Sequence, residues 1–164
     1  MVMLGIDPGF AFAGFGILKK EQNKAFLLDH GYLRLPPSKS LVERTGLFYE
    51  FFNQKIQVHR VDHISLETPF LGKNAQNFLK LGYLRGILYL LASQHKLELH
   101  EFAPRQVKLA LTGFGGASKE QVAHVIMRLF PNLTAPEKAD VTDALAVTLC
   151  GVWQHNNIMS KLRI

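Results

Sequence analysis

Four acidic residues of this chain stand where carboxylate chemistry is easiest to build. Asp7 follows the apolar run VMLGI and is followed at once by Pro-Gly; Glu67 ends the short apolar segment HISLE; Asp140 and Asp143 lie three apart in ADVTDALAV. They are four of only 13 acidic residues, and each sits at the beginning or end of an apolar element. Acidic residues are disfavoured within strands, so Asp7 and Glu67 are better placed at strand ends, facing out of the sheet. Spacing of three puts Asp140 and Asp143 on one side of a helix, beside the apolar face of Leu145 and Leu149. Two aspartates in a first helical turn are also favoured simply by the helix dipole. Four carboxylates gathered at one point, however, repel one another unless a positive charge sits among them. Lys138 is the one basic residue close in sequence, so a divalent cation is the economical counter-charge. An all-oxygen donor set favours Mg²⁺, with Mn²⁺ as substitute, over Zn²⁺. Two such ions about 4 Å apart would suit phosphodiester hydrolysis without a side-chain nucleophile.

The elements that must position these groups are legible in order. Strand-like segments at 2–7, 12–18 and 25–35 come first, and their spacing suits an antiparallel meander. Ser40 and Glu43 have capping-box spacing and start a helix that runs to about 58. A strand at 63–67 precedes a long helix over 75–94, for which Asn74 is the candidate cap. A strand over 97–102 and a short helix from Pro104 to Gly113 follow. Ser118 and Gln121 open the next helix, with Val122, Val125, Ile126 and Leu129 as its apolar stripe. The last helix spans about 138–155. This order predicts an α/β fold, a mixed central sheet of about five strands flanked by helices. If the first and fourth strands are parallel neighbours, Asp7 and Glu67 leave the sheet at the same edge.

A chain of 164 residues with 48% apolar and 20% charged residues suits one soluble domain. We assign 1–155 to that domain and 156–164 to a short polar, basic tail. A single cysteine, Cys150, excludes an internal disulfide framework and points to a reducing, cytoplasmic setting; it is expected to be packed on the apolar side of the last helix. The formal charge of +6 suggests an anionic partner, nucleic acid being the commonest. The seven histidines are scattered without metal-ligand spacing and are taken as surface or core residues. Gly82 and Gly86 within the long helix imply a close backbone approach, either of the chain's own sheet or of a second subunit. Lys80 and Arg85 on the same helix are candidates for DNA or solvent contact.

Four segments, LGIDPG, LETPFLGKNAQNFLKLGYLRG, APRQVKLALTGFGGASKEQV and ADVTDALAV, together resemble the RuvC family of Holliday-junction resolvases. The resemblance runs in order from residue 3 to about 155. It implies an RNase H-like fold, a homodimer, and two-metal endonuclease chemistry that nicks opposing strands of a four-way DNA junction. It matches Asp7, Glu67, Asp140 and Asp143 to the family's metal-binding carboxylates. It implies that Lys108 and Lys119 lie near the scissile strand and support catalysis and binding, and that Phe70 meets bases at the junction centre. Lys73 and Arg105 are further candidates for DNA contact, and contact with a branch-migration motor is implied by family alone. Two other nuclease substrates, RNA and other branched DNA, stay open on the residues, as does a catalytically inactive junction-binding module. LGIDPGFAFAGFG also resembles the first phosphate loop of actin-like sugar kinases, but those need two such domains and a second glycine-rich loop.

Overall fold

The computed structural model describes residues 1–22, 24–69, 75–131, 133 and 138–161, with 155–161 described by backbone alone. Five strands and five helices alternate largely as expected: β1 (Val2–Asp7), β2 (Phe12–Glu21), β3 (Lys24–Arg34), α1 (Leu41–His59), β4 (His63–Glu67), α2 (Ala75–His95), β5 (Glu98–Phe102), α3 (Pro104–Thr112), α4 (Lys119–Leu129) and α5 (Ala139–Lys161). The strands form one sheet in the order β3-β2-β1-β4-β5. β1 and β2, and β2 and β3, pair antiparallel, whereas β1–β4 and β4–β5 are parallel. β4 and β5 are each reached through a helical crossover, as parallel pairing demands.

The local signals act where they were read. Ser40 accepts from the backbone N–H of Glu43, while the Glu43 carboxylate accepts from the Ser40 N–H, closing the capping box of α1. Ser118 and Gln121 do the same for α4. Pro104 opens α3, and Gly113 ends it in the left-handed region at φ 74°. Two boundaries differ from expectation. β2 continues to Glu21 because Lys19 and Lys20 still pair with β3, a ladder that side-chain hydropathy does not report. α5 runs through Lys161 rather than ending near 155. The proposed Asn74 cap lies outside the described residues.

Side chains alternate across the sheet and fill two cores. Leu4, Ile6, Ile17, Ile64 and Leu66 pack beneath α1 and α2 with Phe48, Phe52, Leu84 and Leu88. On the other face Met3 and Leu18 lie beneath α3, α4 and α5 with Val107, Ile126, Leu145 and Leu149. α5 lies unusually close to β1 and β2. A Cβ on Gly14 would fall 2.0 Å from the Asp140 carbonyl oxygen, and one on Gly5 would fall 2.0 Å from Thr148 Oγ1. Ser65 Oγ donates to the Val147 carbonyl at 2.7 Å, so a hydroxyl as well as glycines sets the depth of the helix. That depth carries the start of α5, with Asp140 and Asp143, to the sheet edge where β1 ends.

The long helix corrects one expectation. Gly82 and Gly86 do not receive the chain's own sheet: a Cβ on either would meet nothing within 4 Å. They lie instead on a stripe with Leu79, Tyr83 and Leu90, which are 57%, 41% and 49% exposed.

Candidate active site at the carboxyl edge of the sheet

Ile6 of β1 is in register with Leu66 of the parallel β4, so Asp7 and Glu67 emerge side by side from adjacent strands. Alternation places Asp7 on the face of Gly5 and Glu67 on that of Ser65, the face covered by α5. Asp143 comes to the same place from the second turn of α5. Asp140 sits just before it, where a Cβ on Gly9 would be 3.9 Å from its Oδ1. All four predicted carboxylates are therefore brought to one edge.

Their electrostatics show how closely they are placed. Burial, followed by the charges of Asp143, Asp140 and Glu67, pushes the Asp7 carboxyl up to about 7, with Lys119 opposing. Burial and the charge of Asp143 also raise Glu67, against the opposing pull of Lys119 and Lys108. Lys119 Nζ lies 2.6 Å from Asp143 Oδ2, and this hydrogen bond raises the lysine above its ordinary value. Lys119 is thus the cation that partly neutralises the cluster, coming from the start of α4 although it is remote from all four acids in sequence.

A cleft of about 520 Å³ opens here, with Glu67, Asp143, Lys108 and Lys119 as its charged lining and Val107, Val122 and Ala146 among its apolar walls. A smaller depression of about 230 Å³ adjoins it through Glu67 and reaches Asp7, Pro8 and Arg85. Arg105 is exposed and lies against Gly115, where a Cβ would be 2.7 Å from its Cγ. Phe70 and Lys73 lie outside the described residues. Cys150 is fully buried, as expected, and burial pushes its thiol up to about 12.

The donor set suits a hard dication. All four groups offer carboxylate oxygen, Asp7 is held largely out of water, and the counter-charge within the protein is a lysine whose side chain is 72% exposed. The carboxylates do not form a single-ion cage with three ligand atoms within 4.8 Å of one another.

Arg85, which the sequence leaves open between DNA and solvent contact, is a positioning residue. Arg85 is 5% exposed and cannot serve as a surface DNA contact. Its Nη1 donates to the Glu67 carbonyl at 2.6 Å, and its Nη2 is paired with the Glu101 carboxylate. It thereby ties the end of β4 to α2 and β5. The signal that could have found it is the four-residue spacing from Tyr89, whose hydroxyl donates to the same Glu101 carboxylate at 2.9 Å.

A family model described as crossover junction endodeoxyribonuclease RuvC matches residues 3–151. The chain belongs to the RuvC family. It is 45% identical over 150 residues to the crossover junction endodeoxyribonuclease RuvC of Pelodictyon phaeoclathratiforme, covering 92% of this chain and 78% of that protein. The RuvC structure from Thermus thermophilus superposes with a TM-score of 0.85 at 28% identity, covering 95% of this chain and 96% of that one. T. thermophilus RuvC in complex with Holliday junction substrate matches with a TM-score of 0.88, also at 28% identity, covering 94% of each chain. The RNase H-like fold and the crossover junction endodeoxyribonuclease activity of the family are thereby this chain's own. No helix among the described residues is long and apolar enough to cross a membrane.

Proposed function

We propose that this RuvC chain resolves four-way DNA junctions by hydrolysing one phosphodiester in each of two opposing strands, with Asp7, Glu67, Asp140 and Asp143 holding two Mg²⁺ ions. The observation that carries this reading is the electrostatic coupling of Asp7 to Asp143, Asp140 and Glu67 beside a cleft that Glu67 and Asp143 line together with Lys108 and Lys119. When bound, the ions supply Lewis-acid activation and charge neutralisation at the phosphate. The chain's own residues do the rest. Asp7, ionised once a cation offsets its neighbours, anchors the set from the rigid end of β1. Glu67 spans the two depressions and is held in place by Arg85 through its carbonyl. Lys119 neutralises Asp143 before substrate arrives, and its exposed ammonium then turns to the incoming phosphate. Lys108, half-buried on α3, faces the same cleft and orients the scissile strand. Arg105 contacts the backbone further out, Phe70, in the segment following Glu67, meets bases at the junction centre, and Lys73 of the same segment contacts the DNA.

The working unit is a dimer related by a two-fold axis, matching the approximate symmetry of a four-way junction. Support comes from α2, where Leu79, Gly82, Tyr83, Gly86 and Leu90 leave an apolar stripe bare, with room for a second backbone at the glycines. Residues 1–155 act as one nuclease domain, and contact with a branch-migration motor follows from family likeness alone.

The test is incubation with a synthetic mobile four-way junction, a linear duplex and an RNA–DNA hybrid, each in Mg²⁺ and in EDTA, beside Asp143→Asn. Paired, ligatable nicks in the junction alone, dependent on metal and absent in the variant, are expected. Equal cutting of the hybrid would overturn the substrate; metal-dependent binding without nicks would overturn the catalytic assignment.

A further inference from the structure

At the opposite end of β4 from Glu67, two histidines and a glutamate come together without any part in the site described above. His63 opens β4, and His100 lies on the neighbouring β5, two residues beyond Glu98. His63 is in register with Glu98, so strand alternation puts all three side chains on one face of the sheet. His63 Nδ1 lies 3.1 Å from His100 Nε2. Glu98 Oε2 lies 3.6 Å from that same His63 nitrogen and 3.8 Å from that same His100 nitrogen. Among the described residues this is the one group of three whose ligand atoms all fall within 4.8 Å of one another.

We propose that His63, Glu98 and His100 form a second metal site, selective for a borderline transition ion of the Zn²⁺ type. The three atoms make a nearly regular triangle. The nearest point equidistant from them lies in their plane about 2.0 Å from each, so an ion slightly above that plane would stand close to Zn–N and Zn–O bond length from all three. The edges of a tetrahedral zinc site built on such bonds are about 3.3 Å, within the spread of the distances observed. The ion takes the place of the hydrogen bond between the two imidazole nitrogens, and Glu98 is 69% exposed at its side chain. A second carboxylate supports the arrangement from behind. Asp62 Oδ1, fixed by the Val2 N–H at 2.7 Å, stands 3.6 Å from His63 Nε2. In metal sites such a carboxylate sets the tautomer and orientation of a ligating histidine. Imidazole donors favour Zn²⁺, Co²⁺ and Ni²⁺ over Mg²⁺, so the site differs in metal preference from the carboxylate cluster. Four residues of strand, about 13 Å, separate His63 from Glu67, and an ion here would clamp β4 to β5 and stiffen the sheet edge.

The experiment is calorimetric titration of the EDTA-stripped, dialysed protein with Zn²⁺ in millimolar Mg²⁺, which competes for the carboxylate site, followed by Co²⁺ absorption spectroscopy and a thermal melt. About one Zn²⁺ per chain, a raised melting temperature and the visible bands of four-coordinate Co²⁺ are expected. Glu98→Ala, on an exposed edge, weakens binding at least about tenfold, and His100→Ala abolishes it. Both keep Mg²⁺-dependent junction cleavage. No heat and no thermal shift in the unaltered protein would overturn the proposal, as would undiminished Zn²⁺ binding in either variant.

Discussion

Replacing Asp7 by asparagine should make the metal-free protein more stable while destroying its activity. Burial and three neighbouring carboxylates raise the Asp7 carboxyl from 3.8 to about 7. A raised acid favours the folded state when protonated and opposes it when ionised. The penalty is therefore absent below the unfolded value near 3.8, grows through the interval, and is complete above about 7. Three units correspond to about 4 kcal/mol at pH 8. Asparagine has nearly the same shape and no charge, so it escapes this penalty. In EDTA at pH 8 the Asp7→Asn protein should melt on the order of 10 °C above the parent, at about 2–4 °C per kcal/mol for a chain of this size. The gap should close as the pH falls below 4. Mg²⁺ should raise the parent's melting temperature far more than the variant's. Junction cleavage should fall by about 1,000-fold or more if several kcal/mol of electrostatic stabilisation are lost. Differential scanning calorimetry across pH, with and without Mg²⁺, reads the first effect, and single-turnover cleavage the second. A variant less stable than the parent at pH 8 in EDTA, or a stability gap that ignores pH, would refute the reasoning.

Three further perturbations separate position from charge. Lys119→Ala removes a largely exposed ion pair with Asp143, so stability should change by less than about 1 kcal/mol. Junction affinity should fall, and its logarithmic salt slope should shrink by about one phosphate contact; an unchanged slope would place Lys119 away from DNA. Gly14→Ala forces a methyl group to within 2.0 Å of the Asp140 carbonyl oxygen. Lifting α5 should cost about 1–3 kcal/mol in urea denaturation and weaken Mg²⁺ binding, although no ligand is altered. Arg85→Met leaves the Glu67 carbonyl and the Glu101 carboxylate without their buried partner. With Glu101 35% exposed and still bonded by Tyr89, it should destabilise the protein by about 1–3 kcal/mol and slow cleavage through displacement of Glu67, with little change in salt dependence.

Much of the fold was legible because its signals are local. Ser40 with Glu43 and Ser118 with Gln121 satisfy the unpaired N–H groups of helix starts wherever those helices lie. The candidate acids were legible for a related reason: an ionisable group beside an apolar run needs a compensating role that composition alone makes conspicuous. The resemblance of four ordered segments to the RuvC family joins them into one set by sequence alone.

What the sequence could not decide depends on contacts between distant segments. Lys119 reaches Asp143 across 24 positions because α4 and α5 pack together. Arg85 reads as a surface cation on a helix of weak amphipathic pattern, and only the packing of α2 on β5 turns it inward to Glu101. His63 and His100 have no metal-ligand spacing along the chain, because their adjacency exists only across a parallel strand pair. The value of Asp7 near 7 likewise belongs to no motif: it arises from burial and from three charges carried by other elements. The chain by itself determined which residue types were available and where each element would begin, since those depend on nearest neighbours. Tertiary structure decided which charges share a low-dielectric space, because Coulomb energy depends on separation in space and on burial, and separation along the chain fixes neither.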